Sequence, residues 1–321
     1  MIFRSSIIAF LSIFLFVESL QGQESEFGLI TLSVANVRSE PRHSSELSSQ
    51  AFAGTPVKLC DKSGEWFFVE LPEGYKGYIH ESSIALKSSS DMARWRDSKR
   101  VIVMTPGTVD LLADTINVHP IMKGELAVSD LTGGCILERI DEGERFSLLI
   151  LPDGRTGFVD KEHLMDIDEW RSQGTDTWQI LAIAKAQIGI PYLWGGISAK
   201  GCDCSGLVKN SYFSTGLILK RDASEQASTG VEIPVWRPDL WKQGDLLFFT
   251  GDDGKKITHV AIYDKEGEYI HSSGMVKRSS IYKNSPIYLD REVKKVVRIA
   301  GNEDTDGITT VRNHNWYFNN Q

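Results

Sequence analysis

Leu71-Pro72-Glu73-Gly74, two residues, then Gly77-Tyr78-Ile79 returns eighty residues later as Leu151-Pro152-Asp153-Gly154, two residues, then Gly157-Phe158-Val159. Proline presets φ and glycine accepts positive φ, so the pattern is a tight turn between strands. Its recurrence predicts two copies of one small β-unit. Around the first copy, Leu29 to Ala35, Pro56 to Cys60, Trp66 to Leu71 and Tyr78-Ile79 have strand composition, and polar turns such as Asp61 to Gly64 divide them. Each copy leads into a polar stretch, Glu81 to Ile84 and Lys161 to Leu164. The units are expected over residues 27–90 and 91–166, with Asp91 to Asp97 as the join and 167–176 as a linker into a third unit, 177–321.

The paired turns resemble those of tandem bacterial SH3-like domains, small β-barrels that commonly precede cell-wall hydrolases. The third unit has a different rhythm. Asp176 with Gln179 has capping-box spacing, and Trp178, Ile180, Leu181, Ala184 and Ile188 predict the apolar face of a helix that Gly189 and Pro191 stop. A second helix is expected from about Cys204 to Thr215, ended by Gly216, and Asp222 with Glu225 offers a further capping box. Strands follow at Asp245 to Thr250, Ile257 to Tyr263, Tyr269 to Ser272 and Lys294 to Ala300. Helices first and antiparallel strands afterwards predict an α+β domain.

At the other end, Arg4 precedes the eleven-residue apolar run Ile7 to Val17, and Glu18 to Gln23 then turns polar. This reads as a secretory signal peptide over residues 1–22, too short to span a bilayer. Export to periplasm or medium is therefore expected, with no stable membrane anchor, because no cysteine follows the run to carry a lipid. The formal net charge of −8 comes without any basic block, which argues against nucleic acid as a partner.

An exported chain could pair Cys60 with Cys135. Cys202 and Cys204 are separated only by Asp203, too tight for ordinary disulfide geometry. They lie in the densest stretch of the chain, from Pro191-Tyr192-Leu193-Trp194-Gly195-Gly196 to Gly201-Cys202-Asp203-Cys204-Ser205-Gly206, after which apolar residues resume with helical spacing. A thiol at the head of a helix faces free backbone N–H groups, a field that favours thiolate. Cys204 is thus the candidate nucleophile.

A cysteine nucleophile needs a base and a group to orient it. His259 lies in the alternating run Ile257 to Tyr263, and His271 follows in Tyr269-Ile-His-Ser-Ser273. If the hairpin turn around Asp264 to Gly267 has an odd length, both rings share one sheet face, and His271 can orient His259. An even loop would separate them. Cys202, Cys204, His259 and His271 also suggest a Cys₂His₂ zinc site, although Cys-x-Cys is a less usual zinc spacing.

Tyr192-Leu-Trp-Gly-Gly with Asp203-Cys204-Ser205-Gly206-Leu-Val, His259-Val-Ala-Ile-Tyr263 and Gly244-Asp-Leu-Leu-Phe-Phe249 resembles the NlpC-type cell-wall cysteine peptidases, which have a papain-like fold. The resemblance implies that Cys204 is the nucleophile, His259 the base and His271 the third polar residue, with no cofactor or metal. The two preceding SH3-like units, Asp222-Ala-Ser-Glu-Gln226 and the ending Val311 to Phe318 resemble the YkfC-type members. Those cleave γ-D-glutamyl-L-diamino-acid bonds in peptidoglycan stem peptides with a free N-terminal L-alanine. The likeness implies substrate-binding roles for Tyr192, Trp194, Asp203, Ser205 and Asp222. It also implies that SH3-like domains pack on the catalytic domain, the first contributing Glu46 and Tyr75 to the site. Ala223 stands where relatives often have serine. An amidase or cross-bridge endopeptidase of the same fold, or a non-catalytic wall-binding protein, are the alternatives.

Overall fold

The repeated turn closes the same strand pair twice. In a computed structural model describing residues 26–115, 126–251 and 254–319, Leu71 N–H donates to the Tyr75 carbonyl and Gly74 N–H to the Leu71 carbonyl, each at 2.8 Å. Leu151 and Arg155, and Gly154 and Leu151, repeat this at 2.8 and 2.9 Å. Gly74 and Gly154 have φ of +84° and +92°, the region that glycine enters without strain. The turns join Trp66–Glu70 to Lys76–His80 and Phe146–Ile150 to Thr156–Asp160.

Each unit is a seven-stranded antiparallel sheet, and the two have one strand order: third, second, sixth, fifth, fourth, first, seventh. The first fills its interior with Ile30, Val37, Val57, Val69 and Ile79, the second with Val101, Leu111, Leu137, Leu149 and Val159. These are alternate positions along short strands, as a sheet with one buried face requires. The predicted leader, residues 1–22, lies outside the described residues.

The segments expected to be a join and a linker are helical and carry core residues. Ser88 caps Ser89–Asp97 in a reciprocal box with Asp91 and so positions the buried Met92 and Trp95. Ile167–Ser172 replaces the expected linker. Its Trp170 is fully buried and donates its indole N–H to the Phe213 carbonyl at 3.1 Å. Leu29, Trp95, Ile102, Trp170, Phe213 and Tyr317 belong to one apolar cluster, so all three units share a core.

The third unit is α+β. Its six-stranded antiparallel sheet runs in space as Val231–Ile233, Val293–Arg298, Leu246–Thr250, Ile257–Tyr263, Glu268–Ser273 and Met275–Ser280. Helices Thr177–Ala186 and Cys204–Phe213 pack on each other, and the second also packs on the Ile257–Tyr263 strand. Asp176 caps the first helix through the Trp178 and Gln179 N–H groups. Trp178 and Ile188, expected on its buried face, are exposed, and Ile180, Leu181 and Ala184 alone form the seam. The strands Met275–Ser280 and Val231–Ile233, absent from the sequence reading, are the two edges of the sheet. A Cys60–Cys135 bridge does not form. Cys60 is exposed on its strand, whereas Cys135 is buried and directed at the Ser33 carbonyl, 3.4 Å away. No described helix is long and apolar enough to cross a membrane.

Candidate active site

The nucleophile helix starts where Asp203 leaves the helical conformation (φ −87°, ψ −177°) and its Oδ1 accepts the Gly206 N–H at 2.7 Å. Asp203 Oδ2 accepts the Gly195 N–H at 2.9 Å, tying the Trp194-Gly195 turn to the helix cap. A Cβ on Gly195 (φ +78°) would stand 2.2 Å from the Leu47 carbonyl oxygen of the first barrel, and one on Gly206 2.0 Å from that of Gly196. The glycines permit these approaches, and Cys204 is left 7% exposed. Burial, with the Asp203 charge second, pushes its thiol up to about 11, against the Val260 and Ser205 backbone N–H groups that draw it down. The helix terminus alone therefore does not make a resting thiolate here: desolvation outweighs it.

Val260 directly follows His259, so the strand that supplies the imidazole also lays its backbone against the sulfur. Five residues lie between the paired Tyr263 and Tyr269, an odd loop, and both histidines share a face. His259 Nε2 meets His271 Nδ1 at 2.8 Å, and His271 Nε2 meets Ser279 Oγ at 3.0 Å. With His271 donating to Ser279, its Nδ1 accepts from His259 Nε2–H and leaves His259 Nδ1 as the basic nitrogen. No hydrogen bond joins the Cys204 thiol to His259 in this conformation. The two imidazoles bond to each other, and no metal-binding cluster occurs among the described residues. The zinc arrangement is not assembled.

Burial lowers His259 to about 3, reinforced by His271, Arg291 and Lys277, and burial lowers His271 to about 4. Both are neutral when folded. The unfolded chain, with histidines near about 6.5, then binds protons that the folded chain does not, so this stability is complete above about pH 6.5 and falls as the pH drops toward the folded values. The melting temperature is expected to fall between about pH 7 and pH 5, and less steeply in His259→Gln. Parallel profiles for the two proteins would contradict neutral burial.

The first barrel and the peptidase unit both contribute side chains beside the cysteine helix. Trp194, 61% exposed, donates its indole N–H to Glu46 Oε1 of the first barrel at 2.7 Å. Tyr75 is half-buried, its hydroxyl raised by burial and then by the Asp222 charge. Asp222 keeps part of its surface in solvent, and the partial loss of water raises its carboxyl, as do the acids Glu225, Asp203 and Glu46, against the pull of Arg221. The Tyr192 hydroxyl is pushed up to about 12 by burial, then by Cys204 and Asp203. Glu46, Tyr75, Trp194 and Asp222 thus gather, from two units, about the Asp203–Arg221 pair that caps the cysteine helix.

Asp203 and Ser205 are not available in the same way. Asp203 is buried, and Arg221 Nη1 and Nη2 reach its Oδ1 and Oδ2 at 3.2 and 2.6 Å. Ser205 Oγ donates to Asp203 Oδ1 at 3.2 Å and accepts from Arg221 Nη1 at 2.9 Å. The oxygens of Asp203 are thus engaged within the protein, by Arg221, Ser205 and the Gly195 and Gly206 N–H groups. Arg221 and Ser279 were not singled out in the sequence. Arg221 adjoins Asp222 but acts on a residue eighteen positions away, a separation with no periodic signal. Ser279 lies on the edge strand that the hydrophobic pattern did not disclose.

Comparison with known proteins agrees with this geometry. Residues 189–297 match the NlpC/P60 family and residues 33–85 the bacterial SH3 domain. A γ-D-glutamyl-L-lysine dipeptidyl-peptidase of Bacillus subtilis is 39% identical over 265 residues, covering 78% of this chain and 81% of the relative. One of Bacillus cereus is 28% identical over 263 residues, covering 77% and 74%. The crystal structure of a Bacillus cereus NlpC/P60 family protein superposes with a TM-score of 0.71 at 22% identity, over 85% of this chain and 99% of that one.

Proposed function

The chain belongs to the NlpC/P60 family of cysteine peptidases acting on cell-wall peptides, and from that premise we propose its bond and substrate. The bond is the amide between the γ-carboxyl of D-glutamate and an L-diamino acid in a peptidoglycan stem peptide. The N-terminal L-alanine of that peptide is free. The observation that carries this is the acidic wall formed by Glu46 of the first barrel, fixed by Trp194, and by Asp222 of the peptidase unit. Like-charged carboxyls held together favour an incoming cation, and an ammonium there would pair with both. An alanine still amide-linked to glycan has no charge to offer and adds bulk.

In this reading Cys204 Sγ attacks the γ-glutamyl carbonyl carbon as its proton passes to His259 Nδ1. The Cys204 backbone N–H, at a helix start, donates to the oxyanion. Collapse breaks the C–N bond, and the diamino acid leaves with the proton from His259. Water, deprotonated by His259, then attacks the thioester and releases L-Ala-γ-D-Glu. His271 holds His259 in the tautomer that leaves Nδ1 free. Tyr192, Trp194 and Tyr75 wall the pocket, and Ser205 supports it from below. Export through the leader belongs to the same proposal, because the substrate arises in the wall.

The test is mass spectrometry of products from a free stem tripeptide and its N-acetylated form. The free peptide is expected to give the dipeptide and the diamino acid, with the acetylated one cut at least about a hundredfold more slowly. Equal cleavage of both would overturn the free-amine reading, and products from any other bond would overturn the bond assignment.

A further inference from the structure

Two cations border the histidine pair, and neither has a counterion among the described residues. Lys277 stands directly opposite His271 in the register of the strands Glu268–Ser273 and Met275–Ser280, and directly opposed residues share a face. Arg291 arrives from the other side. The segment before it runs along the end of that edge strand, with Ser280 N–H donating to the Ile287 carbonyl at 3.0 Å and Leu289 N–H to the Ser280 carbonyl at 3.1 Å. Two residues beyond Arg291, Val293 pairs with Phe249, which pairs with His259, the two rings 5.7 Å apart. Both cations act on both imidazoles. Lys277 is half-buried and Arg291 exposed, and neither forms an ion pair among the described residues, in contrast to the buried Arg221–Asp203 pair.

Charges of opposite sign therefore stand on different sides of the nucleophile and its histidines. Glu46, Asp222 and Glu225 set the field around Tyr75, and Lys277 and Arg291 set it around the histidines. We propose that Lys277 and Arg291 form a carboxylate-binding site for the leaving residue, so that the preferred leaving group is a diamino acid carrying a free carboxylate. This rests on the functional reading above, in which the acidic end takes the N-terminal ammonium. With that end fixed, the departing residue lies on the side of His259, which must hand it a proton. A carboxylate there gains two cations that give up no ion pair among the described residues. The carboxylate has two sources in such peptides: the α-carboxylate of a C-terminal diamino acid, or the side-chain carboxylate of a diaminopimelate.

The experiment compares kcat/KM for three peptides: L-Ala-γ-D-Glu-L-Lys, its C-terminal amide, and L-Ala-γ-D-Glu-diaminopimelate amidated only at the α-carboxyl. The full chain and the Lys277→Met/Arg291→Gln double variant are both assayed. Wild-type protein is expected to favour at least one carboxylate-bearing peptide over the Lys amide by about tenfold, the worth of two partly exposed ion pairs. The peptide favoured identifies the source. In the double variant the ratio falls to near one. A change only in the proton affinity of the histidines would scale all three peptides alike and leave the ratio intact, so the ratio separates recognition from a general effect. Equal rates in the wild type, or an unchanged ratio in the variant, would overturn the proposal while sparing the functional reading. Failure to cut the γ-glutamyl bond of any of the three would overturn both.

Discussion

Cys204→Ala is expected to fold normally and to lose turnover by about 10⁴-fold or more in kcat, since members of a nucleophile–base unit are not replaceable one by one. The substitution removes one buried sulfur at the first turn of a helix whose cap, Asp203, is untouched. A melting temperature close to wild type should therefore accompany the lost activity. Cys202 supplies the control. Its thiol is buried to the point that desolvation lifts it to about 12, against the pull of Ser272 and Arg221, and its backbone carbonyl accepts the Ser272 hydroxyl at 2.7 Å. Cys202→Ala keeps that backbone bond and should retain most of the activity. Measurable turnover by Cys204→Ala, or its loss in a well-folded Cys202→Ala, would reverse the assignment of the two thiols.

The largest effect on stability is expected at Arg221. This guanidinium is 1% exposed, its Nε donates to Ser49 Oγ of the first barrel at 3.2 Å, and both terminal nitrogens hold Asp203. Burial pulls its affinity for a proton down, but the Asp203 charge and hydrogen bonds outweigh that and hold it above its ordinary value. Arg221→Met keeps much of the volume and leaves the Asp203 carboxylate buried without a counter-charge. Removing one partner of a buried pair in this way costs about 3–5 kcal/mol, far more than the net worth of the intact pair. Urea unfolding of Arg221→Met, Asp203→Asn and the double variant measures this. The double variant should lose clearly less than the sum of the singles, and additive losses would show that the two side chains do not act as a pair.

Much of this site could be read without coordinates because its parts are local. Asp203-Cys204-Ser205-Gly206 combines cap, nucleophile and close-approach glycine in four consecutive residues. The parity of His259 and His271 survives any detail of the strands so long as the loop between them is odd. Glu46 and Tyr75 were reachable only through family likeness, since nothing in residues 40–80 marks them as belonging to a distant cysteine. The failures share a cause. Arg221 was not recognised as the partner of Asp203 because that contact is fixed by tertiary packing, not by spacing. Residues 167–176 looked like a linker because six residues of helix with two apolar positions are too short for a periodic signal, and only the neighbouring units make Trp170 a core residue. The helix-terminus argument for a thiolate considered one field and missed the competing loss of water.

The apolar cluster joining Leu29, Trp95, Trp170, Phe213 and Tyr317 has a consequence for how such a protein can change over generations. Detachable accessory modules can be shuffled, lengthened or lost while the catalyst stays intact. Here each barrel owns part of the floor beneath the cysteine helix, so the N-terminal units cannot be traded as cassettes. Substitutions far from Cys204, in the second barrel or near the C-terminus, are expected to reach its helix through this shared core. Drift in any one unit must be answered in the other two, and the three are inherited as a single part.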